Sequence, residues 1–213
     1  MFKDRKEAGF RLGEALKKFS GQEPIVLAIP KGGIEIGYEV AKSLQCPFSV
    51  LITRKLPFPE YPESGFGAVA EDGSTYIVPG MEKKVPESTF EDVYRQQVDE
   101  IKRRVSVLRG GKPLPEITGK TVIITDDGIA MGSTMMASIA YCKKNNPARL
   151  IIASPVASPR TVSAIGREAE DAVILETPED FQAVAQVYRD WYDVSDMEAL
   201  SILEDAKNEG YYP

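Results

Sequence analysis

At 213 residues the chain is long enough to bury a sizeable core yet short for two equal domains, and its 43% hydrophobic and 27% charged residues exclude disorder as the default. A net charge of −6 argues against a general nucleic-acid binder, because sequence-independent affinity for nucleic acid comes from excess Lys and Arg. Histidine is absent, which removes Ser-His and Cys-His nucleophiles, His-ligated zinc and imidazole acid–base work, and leaves carboxylates, Lys, Arg, Tyr and backbone dipoles to do any chemistry.

From Lys3 to Phe19, residues Ala8, Leu12, Ala15, Leu16 and Phe19 recur at helical spacing, with Ser20 and Gly21 as the stop. IVLAI at 25–29 reads as a strand, PKGG at 30–33 as a loop, and IEIGYEVAKSL as a helix with Ile34, Gly37, Ala41 and Leu44 on one face. PFSVLITRK follows as a second strand, completing a βαβ unit that implies parallel pairing. Residues 55–66, KLPFPEYPESGF, carry Pro57, Pro59 and Pro62, so an exposed flexible loop with no regular element is expected. FGAVAEDG and STYIV read as a short β hairpin turning at Asp72-Gly73.

Ser88 with Glu91 has the form of a capping box, opening a long helix with Tyr94, Val98, Ile101, Val105 and Leu108 on its buried face and Gly110-Gly111 at its end. The basic residues Lys102, Arg103, Arg104 and Arg109 share that helix with Asp99 and Glu100 and read as a solvated face. Strands at 121–125, 149–154 and 172–176 alternate with helices at 134–144 and 161–170. Residues 177–213 are irregular and then helical, with Phe181, Val184, Tyr188 and Trp191 at helical spacing. The expected fold is a single α/β domain over 1–213: a central parallel sheet flanked by helices, with a small C-terminal hood. Cys46 and Cys142, with no apolar export segment before them, suggest a reducing cytoplasm. No stretch approaches the roughly 18 apolar residues of a membrane span.

In an open parallel sheet, ligands gather beyond the carboxyl ends of the strands. Three such places stand out. VIITDDGIAMGST at 122–134 sets Asp126 and Asp127 side by side at a strand end, where burial and mutual repulsion penalise both charges, and a small-residue loop follows with Ser133 and Thr134 at its close. Such a loop lets backbone N–H groups close round an anion at a helix start. PKGG joins one cation, Lys31, to two residues free of Cβ, and Arg54-Lys55 follows the second strand. Together they offer carboxylates for a vicinal diol, an N–H cradle for one phosphate and separate cations for a second anionic group.

On these residues the chain resembles the type I phosphoribosyltransferases, closest to an uncharacterised subgroup carrying PKGG or PRGG and DDGIA. VIITDDGIAMGST is similar to that family's motif for 5-phosphoribosyl-1-pyrophosphate (PRPP), PKGG to its pyrophosphate loop, and TRKLPFPEYPESGF to its flexible catalytic loop. The resemblance implies displacement of pyrophosphate from C1 of PRPP by a nitrogenous, nucleobase-like acceptor, in the presence of Mg²⁺ held by substrate and water. A nucleoside monophosphate would be the product and a homodimer a state in keeping with the family. It implies that Asp126 and Asp127 hold the ribose hydroxyls and that Gly128, Ile129, Ala130, Met131, Gly132, Ser133 and Thr134 bind the 5-phosphate. On the same resemblance Lys31, Gly32, Gly33, Arg54 and Lys55 would face pyrophosphate, with Lys55 also catalytic, and Phe181 would stack on the acceptor.

Met131 stands where the family commonly has Thr, which removes a hydroxyl donor worth about 1.5–3 kcal/mol to a phosphate. The alternative is therefore a PRPP- or nucleotide-sensing regulator with little catalysis. A phosphoacceptor receiver domain also ends a strand in acids, but there the first strand does so; here the pair comes late and Asp171 ends no strand.

Overall fold

A computed structural model describes residues 1–213. In chain order the elements are α1 (Arg5–Leu16), β1 (Ile25–Ala28), α2 (Gly33–Leu44), β2 (Phe48–Val50), β3 (Thr53–Phe58), β4 (Tyr61–Ala70), β5 (Thr75–Ile77) and α3 (Glu87–Arg109). Then follow β6 (Thr121–Thr125), α4 (Ser133–Lys144), β7 (Arg149–Val156), α5 (Pro159–Ile165), β8 (Asp171–Glu176) and α6 (Asp196–Asn208). Five strands make the expected parallel sheet, ordered β2-β1-β6-β7-β8, and β3-β4-β5 make a separate antiparallel sheet.

The apolar strand runs have a direct cause: the parallel sheet is covered on both faces. Val26, Ala28, Ile123, Ile151 and Ala153 face one core, shared with α1, α2 and α6. Their neighbours Ile25, Leu27, Val122, Ile124, Leu150 and Ile152 face the other, closed by Met135, Ile139 and Cys142 of α4 and Ile165 of α5. With α2 and α4 on opposite faces, the strand order reverses between β1 and β6, and the loops after those two strands flank the switch point. Both cysteines are free and buried. No helix is long and apolar enough to cross a membrane.

Four expectations need correction. Residues 55–66 lie almost wholly in the β3–β4 hairpin; β3 is an edge strand, and the register shifts at Leu56/Pro57 and Pro57/Phe58, which is how a strand accommodates a residue without an N–H. The Ser88–Glu91 capping box does not form: the cap lies two residues earlier at Pro86, extended at φ −58° and ψ 143°, so Ser88 falls inside the first turn of α3. Arg109 is not solvated: it is buried in a two-pronged ion pair with Glu71, Nη2 to Oε1 at 2.7 Å and Nη1 to Oε2 at 2.9 Å, and also donates to the Val50 carbonyl.

Finally, residues 181–191 are not a helix beyond a single 3₁₀ turn at Val184–Val187. Backbone pairing with the N-terminus takes precedence: Phe2 N–H donates to Val187 O, Arg189 N–H to Phe2 O, and Asp190 N–H to Lys3 O. This stitches the segment that closes the sheet's end to the residues just before α1.

Candidate active site

The loops after β1 and β6 meet over the switch point, and glycine is what lets them. A Cβ on Gly32 would lie 2.5 Å from Asp127 Cγ and still nearer its Oδ2, and one on Gly33 would lie 3.0 Å from the Asp126 Cα. PKGG therefore rests directly on the acid pair, with the Pro30–Lys31 peptide in the cis form. Lys31 reaches outward, its Nζ 3.6 Å from Asp196 Oδ1 at the start of α6.

The two acids are mostly buried and have distinct surroundings. Asp126 Oδ1 accepts the Asp127 N–H at 2.8 Å. Asp127 Oδ2 accepts Arg5 Nε at 2.8 Å, and the Asp127 carbonyl accepts the Tyr188 hydroxyl at 2.7 Å. Burial first, and then the charge of Asp127, push the Asp126 carboxyl well above the usual range. Burial also raises Asp127, with the Arg5 guanidinium pulling the other way. Burial likewise holds the Tyr188 phenol up, so it stays a donor.

Behind the pair, the 128–134 loop is braced from α5. Ser158 and Thr161 hydroxyls both donate to the Ala130 carbonyl, at 3.3 and 2.6 Å, and Ile129 pairs in parallel with Ala157. Gly132 turns the chain at φ +77°, a conformation other residues rarely adopt. The backbone N–H groups from Ala130 to Met135 donate to no protein acceptor, so they converge as free dipoles on the space in front of α4. That space is a cleft of about 240 Å³, bounded by residues 128–134 on one side and by Lys55, Glu63 and Gly65 of the hairpin on the other. Ser133 is buried at its edge, whereas Met131 is 66% exposed.

The strand pleat separates Arg54 from Lys55. Lys55 faces the 128–134 loop across the cleft, its Nζ held by the Glu63 carbonyl at 2.7 Å. Arg54 turns to the other face, donating Nε to Gln97 Oε1 of α3. The structure thus brings Asp126, Asp127, Gly32, Gly33 and the 128–134 loop together and places Lys55 opposite the loop, but sends Arg54 toward α3. Phe181 is half-buried against the main core. Val184, Tyr188, Trp191 and Tyr192 reach the acids and their arginine: the Val184 methyls lie within 2.7 Å of where a Cβ on Gly128 would be, Tyr188 bonds the Asp127 carbonyl, and Trp191 and Tyr192 contact Arg5.

Sequence reasoning missed Arg5. The signal was present as spacing: Arg5, Gly9 and Gly13 fall on one face of α1, and Cβ atoms on the two glycines would lie 2.8 Å from Glu39 Cβ and 2.5 Å from Ser43 Cβ of α2. That close approach carries the start of α1 over the start of α2, which is where PKGG and Asp127 lie.

Residues 5–190 match the family described as the phosphoribosyl transferase domain. Two curated proteins of Mycobacterium tuberculosis, from strains CDC 1551 / Oshkosh and ATCC 25618 / H37Rv and named provisionally as phosphoribosyl transferases, are 36% identical over 208 residues. Those residues are 97% of this chain and 47% of each relative, so the chain spans about half the length of the curated relatives it matches. The crystal structure of TT1426 from Thermus thermophilus superimposes with a TM-score of 0.80 at 34% identity, covering 96% of this chain and 98% of that one.

Proposed function

The chain belongs to the phosphoribosyltransferase family of type I, and from that premise we propose that it transfers the 5-phosphoribosyl group of PRPP to a small nitrogenous, nucleobase-like acceptor and releases pyrophosphate. The observation that carries this reading is the placement of a mostly buried acid pair directly before a cradle of unpaired N–H groups that opens on a cleft facing Lys55. The cradle and the Lys55 ammonium suit the 5-phosphate, and the acids suit the ribose hydroxyls.

In the reaction the bond from C1 to the pyrophosphate oxygen lengthens before the acceptor nitrogen closes on C1. Positive charge would grow on the ribose ring beside the acid pair and negative charge on the leaving group beside the PKGG amides, with Lys31 exchanging its Asp196 contact for the pyrophosphate. Fixed charges and dipoles of this kind need no reorganisation as the reaction proceeds. The chain has no cluster of three or more His, Cys, Asp or Glu side chains able to cage a metal. A Mg²⁺ ion that keeps its waters and binds substrate phosphates needs no cage, and it would neutralise charge on the leaving pyrophosphate.

Incubation with PRPP, Mg²⁺ and a panel of purine, pyrimidine and pyridine bases should release pyrophosphate with at least one of them. Folded protein that binds PRPP without turnover would replace this reading with the sensor, which the missing hydroxyl at Met131 favours. Folded protein that neither binds nor turns over PRPP would remove both.

A further inference from the structure

Arg5 is 3% exposed and makes the only ion pair to either acid. Its guanidinium spends Nε on Asp127 Oδ2 and Nη1 on the Tyr192 carbonyl at 2.9 Å, and it stacks 4.0 Å from the Trp191 ring centroid and 5.1 Å from that of Tyr192. A buried arginine held on three sides has one orientation, and so does the carboxylate it grips. With Asp127 Oδ2 committed to Arg5 and Asp126 Oδ1 committed to the Asp127 N–H, no other residue donates to Asp126 Oδ2 or Asp127 Oδ1, and the two carboxyls lie against each other. Two adjacent hydroxyls need that arrangement: one free acceptor from each acid.

We propose that Arg5 is a positioning residue of the sugar site: it fixes Asp127 by one oxygen, leaves one oxygen of each acid for a vicinal diol, and ties that arrangement to residues 188–192. The assignment rests on the proposed use of the acid pair for a ribose. It gives α1 a task beyond packing, and it makes the closing segment part of the sugar site, since Tyr188 and Tyr192 hold Asp127 and Arg5 respectively. The charged and titratable groups around Arg5 and the pair are Glu35 from the first turn of α2, Tyr188 and Tyr192 from the closing segment, and Glu198 from the first turn of α6.

The test is a double-mutant cycle with Arg5→Gln and Asp127→Asn, read in two ways. In calorimetric titration with PRPP and Mg²⁺, each single variant should bind about tenfold or more weakly, and the double variant no worse than the weaker single, because Arg5 acts through Asp127. Arg5→Lys should recover part of the loss. Additive losses, or a Lys variant as poor as the Gln variant, would overturn the assignment.

The second reading needs no ligand. Without Arg5 the buried Asp127 carboxylate is uncompensated and can be relieved only by a proton. The melting deficit of Arg5→Gln should therefore be greatest near pH 8 and shrink toward pH 5, and Asp127→Asn should remove most of that pH dependence, the remainder coming from Asp126 and Glu35, which Arg5 also holds down. A deficit independent of pH in both backgrounds would show that Arg5 merely packs, and so refute the proposal. Were the wild type to bind no PRPP, the transferase reading would fail while the melting cycle still decided the role of Arg5. If Arg5→Gln does not fold, Arg5→Lys takes its place in both cycles.

Discussion

Gly32→Ala tests how closely the two loops must meet. Gly32 has φ −60°, which any residue can adopt, so the substitution carries no backbone strain and its whole effect is steric. The added methyl would lie 2.5 Å from Asp127 Cγ and 3.1 Å from Arg5 Nε, where carbon atoms in contact normally sit about 3.5–4.0 Å apart. About 1 Å of movement is required. If PKGG withdraws, overpacking costs about 1–3 kcal/mol. If Asp127 yields, its 2.8 Å bond to Arg5 breaks and leaves a buried charge unpaired, at a cost of about 3–5 kcal/mol. At about 2–4 °C per kcal/mol for a chain of this length, Tm falls by roughly 2–20 °C, the upper part marking loss of the ion pair. Either route parts PKGG from the acid pair, so PRPP affinity by calorimetry should fall about tenfold or more. Gly21→Ala, with nothing within 4 Å of its Cβ, is the control and should melt like the wild type. A Gly32→Ala protein that matches this control in both Tm and PRPP affinity would refute the claim that the loops are in contact.

Asp126→Asn should raise stability at neutral pH while weakening PRPP binding. The folded Asp126 carboxyl lies well above its usual range, so the stability it contributes is full below the unfolded value of about 3.9 and lost as pH rises through the folded one. The variant's advantage in thermal melts should thus be clear at pH 7.5 and fade toward pH 4; a variant less stable than wild type at pH 7.5 would contradict this. Glu71→Gln leaves Arg109 buried with half its partner and should cost about 3–5 kcal/mol in denaturant unfolding, with PRPP affinity in the folded protein unchanged. Met131→Thr, at an exposed position beside the N–H cradle, should leave Tm within about 2 °C. It should tighten ribose 5-phosphate binding up to about tenfold, and unchanged affinity would show that this position does not face the phosphate.

The sheet was legible because a strand buried on both faces must be largely apolar, as 25–28, 122–124 and 150–153 are. Asp126-Asp127 was legible because so costly a pair interrupts such a run. Local signals misled where a longer-range contact prevailed. The prolines of 55–66 argued against a strand, yet an edge with register shifts tolerates them. The spacing of Phe181, Val184, Tyr188 and Trp191 suggested a helix, but that segment pairs with residues 2 and 3 instead. Arg109 looked like one more charge on a basic stretch until the hairpin turn brought Glu71 to it. Arg5 is the most instructive omission, because a charge in the first turn of an N-terminal helix reads as solvated unless its partner, 122 residues away, is known.

The acid pair also explains why a single arginine suffices. Two buried carboxylates with no cation would share a proton, and a half-neutral pair would meet a ribose cation with less charge. A second arginine would cancel the pair and occupy the oxygens to which no other residue donates. One arginine on Asp127 leaves the Asp126 carboxyl with no cation of its own beside the place where, in the proposed reaction, the ribose becomes positive. The residual burial penalty, seen in the raised carboxyl of Asp126, is stability given up for that field. The same reasoning ties the closing segment to the proposed chemistry: Tyr188 and Tyr192 hold the Asp127 backbone and the Arg5 head, so any movement of residues 188–192 would alter how the acids face a bound sugar.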